Sequence, residues 1–285
     1  MTLRALVAEA EAALRKGPHP ERARLDAETL LLHLHNQNRA WLLANWETGI
    51  TPEIESAFRR LIARRCTGEP LQYITGVAEF FGLPFRVAPG VLIPRPETEH
   101  LVEEVIRLAR LQVREKLRIA DIGTGSGAIT VALAHALTAA KLTATDFSAQ
   151  ALSIAQENAR SNHVSERIEF VQGDLLAPLI GQTFAIIASN PPYIPDSDLE
   201  SLSVEVREYE PHSALFAGED GLAVYRRLIP DAYDLLLPGG WLVLEIGFGQ
   251  QESIQALLEE NRYTEIHFIA DYQGIPRVAV GRKNE

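Results

Sequence analysis

From residue 117 onward, short apolar and β-branched runs alternate with amphipathic helical stretches, and no other feature limits the possible folds as much. L-R-I-A-D-I-G reads as a strand and A-I-T-V-A-L-A-H-A-L-T-A-A as a helix. K-L-T-A-T-D is a second strand, followed by a helix through Asn162, and R-I-E-F-V-Q-G-D and T-F-A-I-I-A-S-N are the third and fourth. G-W-L-V-L-E-I-G continues the series after a helical stretch, and Y-T-E-I-H-F-I-A and R-V-A-V-G-R close the chain as two more strands. Alternation of this kind predicts an α/β fold, a parallel sheet covered by helices on both faces. Pro230, inside G-L-A-V-Y-R-R-L-I-P-D-A-Y, predicts a break or kink in that helix.

The first 75 residues follow a different grammar. Thr2 is placed to cap a helix whose apolar positions are Leu3, Leu6, Val7, Ala10, Ala13 and Leu14. Pro20 opens a second helical stretch, and Thr51-Pro52 marks the start of a third that runs through Arg65. Residues 76–96, rich in aromatic residues and broken by Gly82, Pro84 and Pro89-Gly90, read as a hairpin. The division is therefore a helical domain over 1–75, a hairpin linker over 76–96 and an α/β domain over 97–285.

Composition narrows the function. With 46% hydrophobic and 23% charged residues the chain has globular composition. No run approaches the roughly 20 apolar residues that span a bilayer, so no membrane contact is expected. A single cysteine, Cys66, excludes an internal disulfide and a cysteine-rich metal site, and fits a reducing cytoplasm. The eight histidines form no ligand cluster, and no metal is expected. A formal net charge of -11 argues against a broad phosphate-binding surface. The densest basic run, R-R-L-I-A-R-R from Arg59 to Arg65, is either a solvated helix face or a contact to a charged partner.

The candidate site lies at the strand ends. D-I-G-T-G-S-G carries Gly123, Gly125 and Gly127 where the first strand of the α/β region meets its helix. Glycines there permit a tight turn and close approach of a ligand to a helix N-terminus. The spacing is G-x-G-x-G rather than the dinucleotide G-x-G-x-x-G. Asp146, about 20 residues further on at the next strand end, is placed to accept hydrogen bonds from ribose hydroxyls. Asp174 ends the third strand where it can meet a purine amine, with Leu175 able to pack on the ring. Either aspartate alone could equally cap a loop. The fourth strand stops in S-N-P-P-Y-I-P, where Pro191 and Pro192 cannot continue a ladder. Such a rigid edge presents the Asn190 side-chain oxygen and the Pro191 carbonyl in fixed directions.

The glycine loop, Asp146, Asp174 and N-P-P-Y together resemble the S-adenosylmethionine-dependent amino methyltransferases. G-E-P-L-Q-Y-I-T-G (Gly68 to Gly76), V-L-I-P-R-P-E-T-E (Val91 to Glu99), E-P-H-S-A-L (Glu210 to Leu215) and L-E-I-G (Leu244 to Gly247) are similar to the peptide chain release factor glutamine-N5 methyltransferase family, and the helical N-terminal region is similar too. Two positions depart from the pattern: Ala217 stands where a glycine is expected, and Leu175 where some relatives carry an aromatic.

The resemblance implies a Rossmann-like methyltransferase sheet with a small all-helical N-terminal domain. It implies S-adenosyl-L-methionine as cofactor, held by Gly123, Thr124, Gly125, Ser126, Gly127, Asp146, Asp174, Leu175 and Asn190. It implies a catalytic stretch of Asn190, Pro191, Pro192 and Tyr193, with Tyr193 as an apolar wall against the substrate. The implied reaction is methylation of the glutamine amide in the G-G-Q motif of release factors, protein partners met in the cytoplasm, with the N-terminal helices recognising the substrate. Two other readings share parts of the pattern. A sister family methylates a glutamine of a ribosomal protein but differs where this chain reads P-R-P-E-T-E. DNA or RNA adenine methyltransferases share N-P-P-Y but have to extrude a base and hold phosphates, which the charge disfavours.

Overall fold

The computed structural model describes residues 1–112 and 117–285, which fall into two compact units. The first comprises Met1–Val77 together with Leu202–Glu210, a segment that the sequence division leaves inside 97–285. The second comprises Ala78–Ser201 and Pro211–Glu285.

The helical unit begins with α1 (Leu3–Leu14), whose Thr2 hydroxyl accepts from the Ala5 N–H at 3.3 Å. Leu3, Leu6, Val7, Ala10 and Leu14 are buried as their spacing predicts, whereas Ala13 is exposed. Pro20 opens a single 3₁₀ turn before α2 (Ala23–His35). The short α3 (Arg39–Ala44) is capped by Asn38, α4 (Pro52–Cys66) by Thr51, and α5 (Leu71–Thr75) completes the series. One apolar cluster ties these helices together around Leu6, Leu30, Leu31, Leu42 and Phe58. The basic run on α4 is largely paired within the unit. Arg59 bonds Glu9 and Glu55, Arg64 bonds Glu69, and Arg65 is buried against Asp26 at 2.7 Å. Arg65 also pairs with Glu205, from the segment that returns to this unit after residue 201.

The second unit opens with a two-stranded sheet, β1 (Val77–Phe80) and β2 (Leu83–Arg86), whose Phe80 and Phe85 enter its core. Then come α6 (Glu99–Leu111), β3 (Arg118–Ile122), α7 (Ala128–Ala136), β4 (Lys141–Asp146), α8 (Ala149–Ser161), β5 (Ile168–Gln172) and β6 (Phe184–Ser189). After α9 (Val204–Tyr209), which belongs to the helical unit, the chain forms α10 (Ala223–Leu235), β7 (Leu236–Glu245), α11 (Gln251–Glu260), β8 (Thr264–Ala270) and β9 (Pro276–Arg282). The seven-stranded sheet has the order β5-β4-β3-β6-β7-β9-β8.

Side chains alternate across this sheet, as pleating requires. Ala120 and Ile122 of β3, Ile187 of β6 and Leu242 and Leu244 of β7 face a cluster that includes α10 and α11. Ile119, Ile186, Ala188 and Val243 face the cluster that includes α6 and α7. Two expectations need correction. The sheet is not parallel throughout, because β9 runs antiparallel to both β7 and β8. Only residues 271–275 join β8 to β9, too few for the crossover that a parallel pair requires. Helix α10 also continues through Pro230 to Leu235, so the proline does not break it.

The topology fixes where ligands can approach. Strands β3, β4 and β5 step one way across the sheet, while β6 and β7 step the other. Open α/β sheets bind ligands at such a reversal, outside the carboxyl ends of the strands. Ile122 of β3 pairs in register with Thr145 of β4 and with Ser189 of β6, and Ser189 pairs with Leu244 of β7. The residues that follow, Gly123, Asp146, Asn190 and Glu245, therefore come to one edge.

Candidate active site

A cavity of about 400 Å³ opens at this edge. Gly123, Gly125, Asp146, Asp174, Leu175, Asn190, Pro191 and Pro192 line it, so most of the positions singled out in the sequence share one space. The remaining four, Thr124, Ser126, Gly127 and Tyr193, are not among the lining residues.

The glycine loop divides its work. A Cβ on Gly123 or Gly125 would meet nothing within 4 Å, which leaves their backbone open to a ligand. A Cβ on Gly127 would stand 3.0 Å from the Ala155 Cβ, so that glycine allows α8 to pack against the start of α7. Thr124 donates its hydroxyl to Asp121 Oδ2 at 2.6 Å. The Ser126 carbonyl accepts from Asn158 Nδ2 at 2.8 Å, and buried Asn158 also bonds the Arg86 backbone N–H and C=O at 2.7 and 3.0 Å. One amide side chain thus fastens the loop to β2.

Asp146 accepts from the Gly125 N–H through Oδ2 and from the Ser148 N–H through Oδ1, each at 2.9 Å. A carboxylate has about four acceptor sites, so both oxygens retain capacity for hydroxyl donors. Burial pushes this carboxyl above its ordinary range, while the two backbone donors oppose the rise. Asp121, completely buried beneath the loop, is pushed up to about 7 by burial, with the Thr124 hydroxyl resisting. Asp174 is ion-paired to Arg227, which also lines the cavity. Leu175 has φ 47, an unusual conformation for a leucine, and its carbonyl accepts from Thr145 Oγ1 at 3.1 Å.

Residues after β6 are held from several sides. Tyr193 and Ile194 donate backbone N–H groups to the Leu215 carbonyl at 3.1 and 2.9 Å, and Ala217 N–H returns a bond to Ile194 at 3.0 Å. Ala217 is buried and does not need positive φ, so alanine fits where glycine was expected. Gln250 Nε2 donates to the Tyr193 carbonyl at 2.9 Å. The Tyr193 hydroxyl faces Glu245 Oε1 at 3.4 Å, and burial pushes that phenol well above its ordinary value. Asn190 Nδ2 donates to Thr98 Oγ1 at 3.2 Å, and the Thr98 hydroxyl donates to Glu245 Oε2 at 2.6 Å.

Three of the four quoted family segments meet here as well. V-L-I-P-R-P-E-T-E supplies Val91 and Leu92 to the cavity lining and Thr98 to the support of Asn190. Of E-P-H-S-A-L, Pro211, Ser213 and Ala214 line the cavity, while L-E-I-G provides Glu245. The sequence reading did not single out Thr98, Glu245, Arg227 or Asp121. Each lay inside or beside a quoted segment or an assigned helix, but its partner is distant in sequence. Among the described residues no group of acidic, histidine or cysteine side chains could hold a metal, and no helix is long and apolar enough to cross a membrane.

Comparison with known proteins bears on the same segments. The family model of the PrmC N-terminal domain matches residues 5–76, and that of the methyltransferase small domain matches residues 105–205. A release factor glutamine methyltransferase of Moorella thermoacetica is 46% identical over 286 residues, covering 100% of both chains. Its counterpart from Koribacter versatilis is 43% identical over 261 residues, covering 91% of each. Among solved structures, the T. thermophilus 16S rRNA N2 G1207 methyltransferase in complex with AdoMet and guanosine aligns with a TM-score of 0.54 at 20% identity. That alignment covers 73% of this chain and 50% of the other, a likeness of fold. With identity above 40% along nearly its whole length, the chain belongs to the release factor glutamine methyltransferase family.

Proposed function

We propose that this protein transfers a methyl group from S-adenosylmethionine to the side-chain amide nitrogen of the glutamine in the G-G-Q motif of peptide chain release factors. The observation that carries the reading is the single cavity in which the Gly123–Gly125 backbone and Asp146 meet Asn190 and Pro191. The residues present fit the cofactor. Gly123 and Gly125 leave open backbone, Asp146 keeps acceptor capacity for ribose hydroxyls, and Leu175 offers an apolar surface beside Asp174.

When bound, S-adenosylmethionine supplies an electrophilic sulfonium methyl. The protein's part is to make an amide nitrogen attack it. An amide lone pair is delocalised into its carbonyl, so the nitrogen is a poor nucleophile. Asn190 Oδ1 and the Pro191 carbonyl each accept one N–H of the glutamine amide. This fixes the nitrogen and favours pyramidalisation, directing its lone pair into the cavity. Positioning of this kind is worth on the order of 7 kcal/mol in ideal cases. Pro191 and Pro192 stiffen the edge, and Tyr193, tied to Glu245 and Gln250, holds the turn and offers its ring as an apolar wall for the substrate side chain. No general base among the side chains is needed, because the methylated amide releases its extra proton readily.

The partner is a protein met in the cytoplasm. The charge of -11 and the pairing of Arg59, Arg64 and Arg65 within the helical unit support this over nucleic acid. Purified enzyme with methyl-labelled cofactor, offered release factor, ribosomal protein and nucleic acid separately, tests the reading. Label is expected in release factor, and label confined to either of the others would overturn it.

A further inference from the structure

We infer that Thr98 and Glu245 are positioning residues that decide which face of the Asn190 amide meets the substrate, an inference that rests on the amide-clamp reading above. A threonine hydroxyl carries one proton. Thr98 Oγ1 stands 2.6 Å from Glu245 Oε2 and 3.2 Å from Asn190 Nδ2. An ionised carboxylate only accepts, so it takes the hydroxyl proton and leaves Thr98 as an acceptor towards Asn190. Asn190 must then offer its NH₂ to Thr98, which leaves Oδ1 free for an N–H of the substrate amide. In the opposite orientation Asn190 would meet that N–H with another donor.

Three residues distant in sequence thus specify the one amide orientation that chemistry on an amide donor requires. Thr98 precedes α6 without making a side-chain capping bond, so its hydroxyl is not engaged at that helix end. Both Thr98 and Glu245 are nearly inaccessible, at 4% and 2% exposure, so water does not scramble the pattern.

The relay depends on the charge state of Glu245. Burial, reinforced by Glu97, pushes this carboxyl up to about 7, against the Thr98 and Tyr193 hydroxyls and Arg277 of β9. The Tyr225 hydroxyl of α10 approaches the same residue but donates to its backbone carbonyl at 2.7 Å, and Arg95 acts on Tyr193. Above about pH 7 the carboxylate accepts from Thr98 and the relay holds. As pH falls through that value Glu245 gains its own O–H, and Thr98 is released to donate to Asn190. The wrong face of the amide is then favoured.

The test measures kcat, KM for intact release factor and cofactor affinity for wild type and the variants Asn190→Ala, Thr98→Val, Thr98→Ser and Glu245→Gln. Thr98→Val keeps the shape and removes the relay, so kcat is expected to fall about tenfold or more while cofactor affinity stays within about twofold. Thr98→Ser is expected to restore most of that rate. Glu245→Gln, neutral and able to donate, should behave like Thr98→Val. In wild type kcat should decline below about pH 7, and this limb should be absent from Thr98→Val and Glu245→Gln. Wild-type kcat in Thr98→Val, or a slow variant that keeps the acidic limb, would overturn the relay. Wild-type kcat in Asn190→Ala would instead overturn the clamp beneath it. Retained cofactor binding and the serine rescue separate these outcomes from misfolding.

Discussion

Asp146 uses both carboxylate oxygens to shape the loop that borders the cavity, and it keeps lone pairs for a ligand. Asp146→Ala removes a charged acceptor and the anchor of Gly125 together. Cofactor affinity is expected to fall by about 1.5–3 kcal/mol, roughly 10- to 100-fold, and calorimetry on the folded variant reads it directly. Unchanged affinity would remove Asp146 from the cofactor site. Asp121 makes a different prediction, because burial raises it from 3.8 to about 7. A carboxyl raised in the folded state adds stability that is complete below its unfolded pKa and disappears as pH rises through its folded one. Between about pH 4 and 7 the ligand-free protein should therefore lose about 2–4 kcal/mol through this group. Asp121→Asn, which has no proton to lose, should lack that part of the decline in urea midpoints, and parallel curves would show that Asp121 titrates normally. At this scale the sequence was half legible. Asp146 declared itself at the end of a recognisable strand about 20 residues past the glycine loop, and Asn190 at a strand end followed by two prolines. Thr98 and Glu245 did not, because their meaning arises from a contact 147 residues apart in the chain.

Among the elements, α4 shows how a sequence pattern can hide its role. R-R-L-I-A-R-R has the composition of a solvated face, and Arg59 and Arg60 fit that description. Arg65 does not, being 2% exposed and bonded to Asp26 of α2 and to the Glu69 carbonyl at 2.9 Å. Helical periodicity identifies which residues share a face, but not whether a cation on that face has a buried partner on another helix. Arg65 also reaches Glu205 of α9, which joins two stretches of the unit that are remote in sequence. Removing one member of a buried pair strands the other charge, so Arg65→Ala is expected to destabilise the helical unit by about 3–5 kcal/mol. Thermal unfolding by circular dichroism measures it, and a loss below about 1 kcal/mol would mean that the pair behaves as a surface bridge. Strand identities and helix caps were legible from local chemistry, as Thr2, Thr51 and the apolar runs of β3 and β6 show. The antiparallel β8–β9 pair and the uninterrupted α10 were not. The first depends on the direction of pairing, and the second on packing of Leu228, Ile229, Ala232 and Tyr233 that outweighs the proline penalty.

For the whole molecule, the question is how one glutamine is chosen among all those in a cell. A glutamine side chain buries too little surface to distinguish one protein from thousands, so recognition requires contacts beyond the cavity. We propose the helical unit, which also incorporates residues 202–210, as the source of those contacts. A chain beginning at Gly76 that still binds cofactor should therefore lose about tenfold or more in kcat/KM on intact release factor, mainly through KM. Equal values for the truncated and full-length proteins would leave the helices without a role in recognition. The central claim is the identity of the acceptor atom. It is tested most directly by mass spectrometry of a release factor incubated with cofactor and either wild type or Asn190→Ala. With wild type, the account predicts a mass gain of one CH₂ unit on the glutamine of the G-G-Q peptide. With Asn190→Ala it predicts a rate lower by about 2.7–4 kcal/mol of transition-state stabilisation. A methyl group on any other residue, or the same rate from both proteins, would contradict it.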